Sequence, residues 1–196
     1  MRKAHITRNT AETKIKLELN LDGEGSGKIS TGIGFFDHML TLWTHHGKFD
    51  LTVEAQGDLH VDSHHTVEDV GIALGQAFSE ALGDKAGIAR YAQVYLPMDE
   101  ALARLVVDIS GRPYLATDLP EQNLDAAPNF PFSLLEEFLR AFVNQARVTL
   151  HVALLSGRDR HHQFEAVFKG FGRVLDQATQ VDPRLAGRVP STKGVL

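Results

Sequence analysis

Residues 64–82 read HHTVEDVGIALGQAFSEAL, and residues 161–179 read HHQFEAVFKGFGRVLDQAT. Superposed at an offset of 97 residues, the two segments share one frame. In the first, Val67, Val70, Gly71, Leu74, Ala77, Phe78 and Ala81 recur at helical spacing. In the second, Phe164, Val167, Phe168, Phe171, Val174, Leu175 and Ala178 hold the same places. Apolar residues that return every third or fourth position line one side of an α-helix, so each segment predicts an amphipathic helix with a single buried stripe. Each also opens on a histidine pair followed by a glutamate: His64, His65 and Glu68, then His161, His162 and Glu165. A chain that repeats both its packing stripe and its polar signature reads as a duplication.

The repeat extends upstream. Phe36, Met39, Leu40 and Trp43 show the same helical spacing as Leu135, Phe138, Leu139 and Phe142, here at an offset of 99. Ser133, with Glu136 three residues on, is a capping-box signature that predicts the start of the second of these helices. Strand-like runs follow both, FDLTVEA from Phe49 and RVTLHVALL from Arg147. Further back, ETKIKLELNLDG from Glu12 aligns with EALARLVVDISG from Glu100, both alternating as half-buried strands. DGEGSGKIS (Asp22–Ser30) reads as a hairpin turn; it fails as a phosphate loop because Ile29 follows Lys28 where a hydroxyl residue is required. The expected architecture is α+β, with duplicated βαβ-type halves related by pseudo-twofold symmetry. They span about residues 1–88 and 89–181 and pack as a single unit. In the tail, 182–196, Pro183, Gly187, Pro190 and Gly194 bar a further helix.

Composition removes several classes of function. Hydrophobic residues at 43% and charged residues at 23% describe a globular chain. The net charge of −5, without a basic block, argues against nucleic-acid or anionic-membrane binding. No apolar run reaches membrane-spanning length and the first residues, MRKAHITRNTAETKIK, are too polar for a signal peptide, so a cytoplasmic location is expected. Cysteine is absent, which excludes disulfides, thiolate metal sites and cysteine nucleophiles. Of ten histidines, six form three adjacent pairs.

Those histidines carry the chemistry. His64 with Glu68, and His161 with Glu165, are four apart on a helix, which puts imidazole and carboxylate on one face about 5–6 Å apart at Cβ. Two such donors suit one metal ion, and a set without sulfur is compatible with Mn, Fe, Co, Ni or Zn. His65 and His162 point about 100° around the helix and are better placed to reach a different ion. His38, in GFFDHMLTLW, and its counterpart Glu137 are further candidate ligands. Arg90, Arg112 and Lys193 stand in turn-rich segments, where solvation alone accounts for them. On the residues alone, a dinuclear metallohydrolase and a metal-storage scaffold remain open.

FFDHML, DSHHTVEDVGIALG, LPMDEAL, DISGRPYL, HHQFEAVFKGFGRVL and the terminal STKG together resemble the imidazoleglycerol-phosphate dehydratase family, from about Arg8 to the last residues. The resemblance implies a ribosomal protein S5 domain 2-like fold and a monofunctional enzyme. Its reaction would be the dehydration of imidazole glycerol phosphate to imidazole acetol phosphate, a step of L-histidine biosynthesis. It further implies two Mn2+ per active site, other divalent metals being admissible, and trimers assembled into a 24-subunit shell with active sites between subunits. Carried over by motif, the metal ligands are His38, His64, His65, Glu68, His161, His162 and Glu165. The duplication adds Glu137, where many members of the family carry histidine. Glu12 is expected at the reacting part of the substrate, and Arg90, Arg112, Ser191 and Lys193 at its phosphate; His38, His46, Lys169 and Thr192 complete the expected substrate contacts. Catalysis is expected from Glu12, His65 and Glu165, with Glu12 moving a proton. Asp99 and Glu100, near the matching place of the second half, are the alternatives.

Overall fold

A computed structural model of the chain describes residues 2–120, 125–128, 130–194 and 196. The first half runs β1 (Lys3–Asn9), β2 (Thr13–Asn20), β3 (Gly27–Ser30), α1 (Gly34–Gly47), β4 (Asp50–Gly57) and α2 (His64–Leu82). The second runs β5 (Tyr91–Met98), β6 (Ala101–Asp108), β7 (Tyr114–Asp118), the short β8 (Asp125–Ala127) and β9 (Phe130–Pro131), α3 (Phe132–Ala146), β10 (Thr149–Ser156) and α4 (Arg160–Thr179). Their sheets are ordered β1-β2-β4-β3 and β5-β6-β10-β7. Even the register repeats. Lys3 faces Asn20 and Asn20 faces Asp50 in one sheet, as Tyr91 faces Asp108 and Asp108 faces Thr149 in the other. Parallel β3 and β4 are joined through α1, and parallel β7 and β10 through α3, so each half holds one βαβ unit. The fold is the α+β duplication expected. Among the described residues no helix is long and apolar enough to cross a membrane.

Two local expectations fail. Asp22–Ser30 is not a hairpin, because β3 pairs with β4 instead of folding back on β2. The Asp50 carboxylate, at the start of β4, accepts the backbone N–H groups of Glu24 and Ser26 and so steers the segment past β2. Ser133 does not cap α3 either. The helix starts one residue earlier, with Pro131 at its N-cap position and no side-chain cap, while Glu136 pairs with Arg140 one turn on. One feature has no counterpart upstream. The second half carries ten more residues between β7 and α3 than the first carries between β3 and α1. There β8 and β9 pair, and buried Phe130 packs against Phe35, Phe36 and Phe164.

The helices pack across the repeat. α1 lies along α4 and α2 along α3, so the main helical partner of each helix belongs to the other half. The stripes read from the sequence form these contacts: Phe36, Trp43, Phe78, Phe138, Phe142, Phe168 and Phe171 are fully buried. Two matching glycines set the approach. A methyl group on Gly75 would meet the Phe142 carbonyl oxygen at 2.5 Å, and one on Gly172 would meet that of Trp43 closer still. Since the obstacle is helix backbone, it cannot rotate away, and overpacking of this kind costs about 1–3 kcal/mol. Gly75→Ala and Gly172→Ala are each expected to lower the melting temperature by roughly 2–12 °C for a chain of this size. Gly34→Ala, where a methyl group meets nothing within 4 Å, is expected to leave it unchanged. Thermal unfolding followed by circular dichroism reads both.

Candidate metal centres

Packing α1 against α4 brings His38 onto the first turns of α4. Its Nε2 donates to Glu165 Oε1 at 2.8 Å, and His161 Nε2 reaches the same oxygen at 3.0 Å. Lys169, one turn on, donates to the other oxygen of Glu165 at 2.6 Å and lies 3.2 Å from Met98 Sδ. Burial pushes the Glu165 carboxyl up, but the hydrogen bonds from Lys169, His38 and His161 outweigh it and hold its pKa at about 2. The group is therefore a buried carboxylate anion with one oxygen turned to two imidazoles.

Packing α2 against α3 builds the partner cluster. Glu137 of α3 joins His64 and Glu68 of α2, with one donor atom from each of the three within 4.8 Å of the others. The same limit describes His38, His161 and Glu165. Glu137 takes the position that His38 holds in the other half, as the repeat anticipates. Both sets consist of nitrogen and oxygen donors without sulfur, a chemistry that fits a first-row divalent ion.

His65 and His162 join neither set. His65 Nδ1 donates to Asp58 at 2.9 Å, and His162 Nδ1 donates to Glu100 at 2.8 Å. A carboxylate on one ring nitrogen fixes the ring and leaves the other, Nε2, as the outward donor, which is how a metal-ligating histidine is commonly held. Those carboxylates raise the pKa of each imidazole. Glu100 in turn is held at about 2, first by the Asp159 backbone N–H and then by His162.

The halves differ instructively here. Glu100 is the counterpart of Glu12, yet Glu12 does not bind Nδ1 of its own histidine; it stands exposed, 3.7 Å from His65 Nε2. Asp58, on the longer loop before α2, has taken the place at Nδ1. The turn bearing Glu12 is anchored from beneath. Thr10 Oγ1 accepts the backbone N–H groups of Glu12 and Thr13, and buried Asp69 accepts from Thr13 Oγ1 and pairs with Arg8 at 2.7 Å. Sequence reading missed Asp58 and Asp69. Neither has a counterpart in the repeat, and Asp69 interrupts no stripe; only its burial reveals it.

The expected phosphate-binding residues gather elsewhere. Arg90 is buried, bonded to Asp108 at 2.8 Å and to the Pro190 carbonyl at 2.7 Å, and lies over the Tyr91 ring. Arg112 approaches the same Asp108 at 3.8 Å but is largely exposed. Ser191 follows Pro190 and accepts the Lys193 backbone N–H, so the Ser191-Thr192-Lys193 turn sits beside Arg90. Yet Arg90 N–H bonds the carbonyl of Ala178, at the far end of α4 from Glu165. Thirteen residue steps along the helix separate the two, about 20 Å. His46 lies at the end of α1 in a groove shared with Arg173, its pKa lowered by burial. Within one chain, the His38, His161 and Glu165 cluster and the basic group are thus too far apart for one small phosphate ester.

The model of the family described as imidazoleglycerol-phosphate dehydratase matches residues 31–175. Relatives of that name from Akkermansia muciniphila and Thermoanaerobacter pseudethanolicus are each 58% identical over 196 residues, covering 100% of both chains. A crystal structure of imidazoleglycerol-phosphate dehydratase from Staphylococcus aureus is 42% identical, with a TM-score of 0.80 over 92% of this chain and 99% of its own. The enzyme from Pyrococcus furiosus is 39% identical, with a TM-score of 0.84 over 97% of this chain and 100% of its own.

Glu136 and Glu137 are adjacent, but only Glu137 lies in a cluster. If each cluster holds one divalent ion, Glu137→Ala is expected to lower bound metal from two ions per chain to one, while Glu136→Ala leaves it at two. Elemental analysis after gel filtration reads the difference, and equal stoichiometry in the two variants would remove Glu137 from the ligands.

Proposed function

The chain belongs to the imidazoleglycerol-phosphate dehydratase family, hydro-lyases that dehydrate imidazoleglycerol phosphate in histidine biosynthesis, and from that premise we propose a reaction that depends on two divalent ions, Mn2+ foremost. The observation that carries the metal dependence is the pair of three-donor clusters at matching places of the two halves. His38, His161 and Glu165 would hold one ion, and His64, Glu68 and Glu137 the other. When bound, such ions supply Lewis-acid stabilisation of negative charge on the substrate's imidazole ring.

The remaining steps fall to side chains of this protein. Removal of water takes a proton from one carbon and a hydroxyl from its neighbour, which leaves an enol that tautomerises to the ketone, imidazole acetol phosphate. The proton on carbon needs a base that is exposed, anchored and not held by a short hydrogen bond. Glu12 meets those conditions: its turn is fixed through Thr10, Thr13 and Asp69, while Asp58 occupies the Nδ1 of His65. Glu100 does not, because its carboxylate is already bound by two backbone N–H groups and His162. Asp58 and Glu100 instead hold His65 and His162 with Nε2 outward.

A complete site calls for a second copy. The outward Nε2 atoms of His65 and His162 suit ions held by a neighbouring chain, and a neighbour's Arg112, Ser191, Thr192 and Lys193 would reach a phosphate that this chain's own cannot. Exposed Tyr91, Tyr95 and Tyr114 offer apolar surface for that contact. Trimers assembled into a 24-subunit shell, working in the cytoplasm, complete the reading.

Glu12→Gln is expected to lower turnover by about 10²-fold or more with bound manganese unchanged, followed through the absorbance of the ketone product; wild-type turnover would exclude Glu12. Exhaustive chelation is expected to lower the particle mass in light scattering, and added Mn2+ to restore it. A mass indifferent to chelation would show that metal does not hold the assembly together.

A further inference from the structure

The duplication places two sites of common origin in one chain, so each is an internal control for the other. His64 matches His161 and Glu68 matches Glu165, both pairs on the first turns of long helices. Two differences touch the clusters directly. Glu137 stands where the other site has His38, and Ile72 stands where it has Lys169. Both changes act in one direction. The His64 cluster presents two carboxylates and one imidazole, whereas the His38 cluster presents one carboxylate and two imidazoles. That single carboxylate also shares its charge with the Lys169 ammonium at 2.6 Å. Arg140 does not restore the balance on α3, because it is paired with Glu136. Arg173, one turn beyond Lys169, adds positive charge to α4.

We infer that the two metal centres are unequal: the His64, Glu68 and Glu137 centre fills first and retains its ion, and the His38, His161 and Glu165 centre holds the exchangeable one. This rests on the metal-dependent reading above. The physical cause is ligand charge, which tunes the affinity of oxygen-rich sites for hard divalent ions over orders of magnitude, and carboxylate donors favour Mn2+ where imidazole donors favour softer ions. Imidazoles reaching in from another copy, His65 or His162, are alike in donor atom and in the carboxylate behind them, so they leave the inequality standing. Catalysis would then respond to free Mn2+ through the weaker centre while the stronger stays occupied.

The test starts from Mn2+-loaded protein, equilibrated against chelator-buffered free Mn2+ in descending steps, with bound manganese per chain read by elemental analysis. The expected curve falls from two ions to one, then holds a plateau across at least about a tenfold range of free Mn2+ before the second ion leaves. Glu137→Gln is expected to erase the plateau by loosening the retained ion. Lys169→Met is expected to shorten it from the other side, by tightening the exchangeable one. Loss of both ions in a single step from the wild-type protein overturns the ranking while leaving two metal centres intact. So does a Lys169→Met variant whose retained ion shifts instead. Protein that holds no manganese at any concentration overturns the metal-dependent reading itself, and the ranking with it.

Discussion

The backbone of α4 at Gly172 lies against the carbonyl of Trp43, and that of α2 at Gly75 against the carbonyl of Phe142. These two contacts hold the helices of opposite halves closer than any side chain would permit, and the candidate chemistry depends on them. His38 reaches Glu165 only because α1 lies along α4, and Glu137 reaches His64 and Glu68 only because α3 lies along α2. Neither half contains a complete cluster. The same packing buries the aromatic stripe, so the hydrophobic core and the donor sets rest on the same helix contacts.

Much of this was legible in the sequence because duplication turns one reading into two. A stripe such as Val67, Val70, Gly71 and Leu74 could belong to any helix, but its recurrence as Phe164, Val167, Phe168 and Phe171 separates shared constraint from accident. Glu137 emerged in the same way. What stayed hidden lacked a second copy or depended on distant partners. β3 pairs with β4 through a carboxylate, Asp50, lying twenty or more residues from the segment it steers. The Ser133 signature satisfied a local rule, but the chain enters α3 from the β8–β9 hairpin, and Pro131 sets where the helix begins. Asp58 and Asp69 carry no periodicity at all; their roles exist only once the loop and the β1–β2 turn have closed on α2.

Departures from the repeat are where function separates from folding. If only stability mattered, Glu12 and Glu100 could both remain tied to their histidines, as Glu100 is to His162. The longer loop in the first half puts Asp58 on His65 Nδ1 instead, which leaves the Glu12 carboxylate exposed and 3.7 Å from Nε2. The cost falls on the local network: Asp69, with 5% exposure, must be buried and then matched by Arg8, Thr10 and Thr13 to keep the freed turn in place. Burying a carboxylate is unfavourable unless it is paired and hydrogen-bonded, and this one is.

The basic residues obey a different constraint. Arg90 is fixed by Asp108 and the Pro190 carbonyl, and this interaction orders the tail that carries Ser191 and Lys193. Its guanidinium has all three nitrogens engaged, so its first role in the chain is to position its neighbours, while Arg112 and Lys193 stay exposed as charged donors. Such an arrangement would be poorly placed in a monomer, since the donors point to solvent at the end of α4 remote from the His38, His161 and Glu165 cluster. It would become economical in the assembly proposed above, where one helix length would separate the two contributions each subunit makes to different sites. In that proposed assembly the length of α4, twenty residues from Arg160 to Thr179, would set the spacing between what a subunit gives to one site and what it gives to the next.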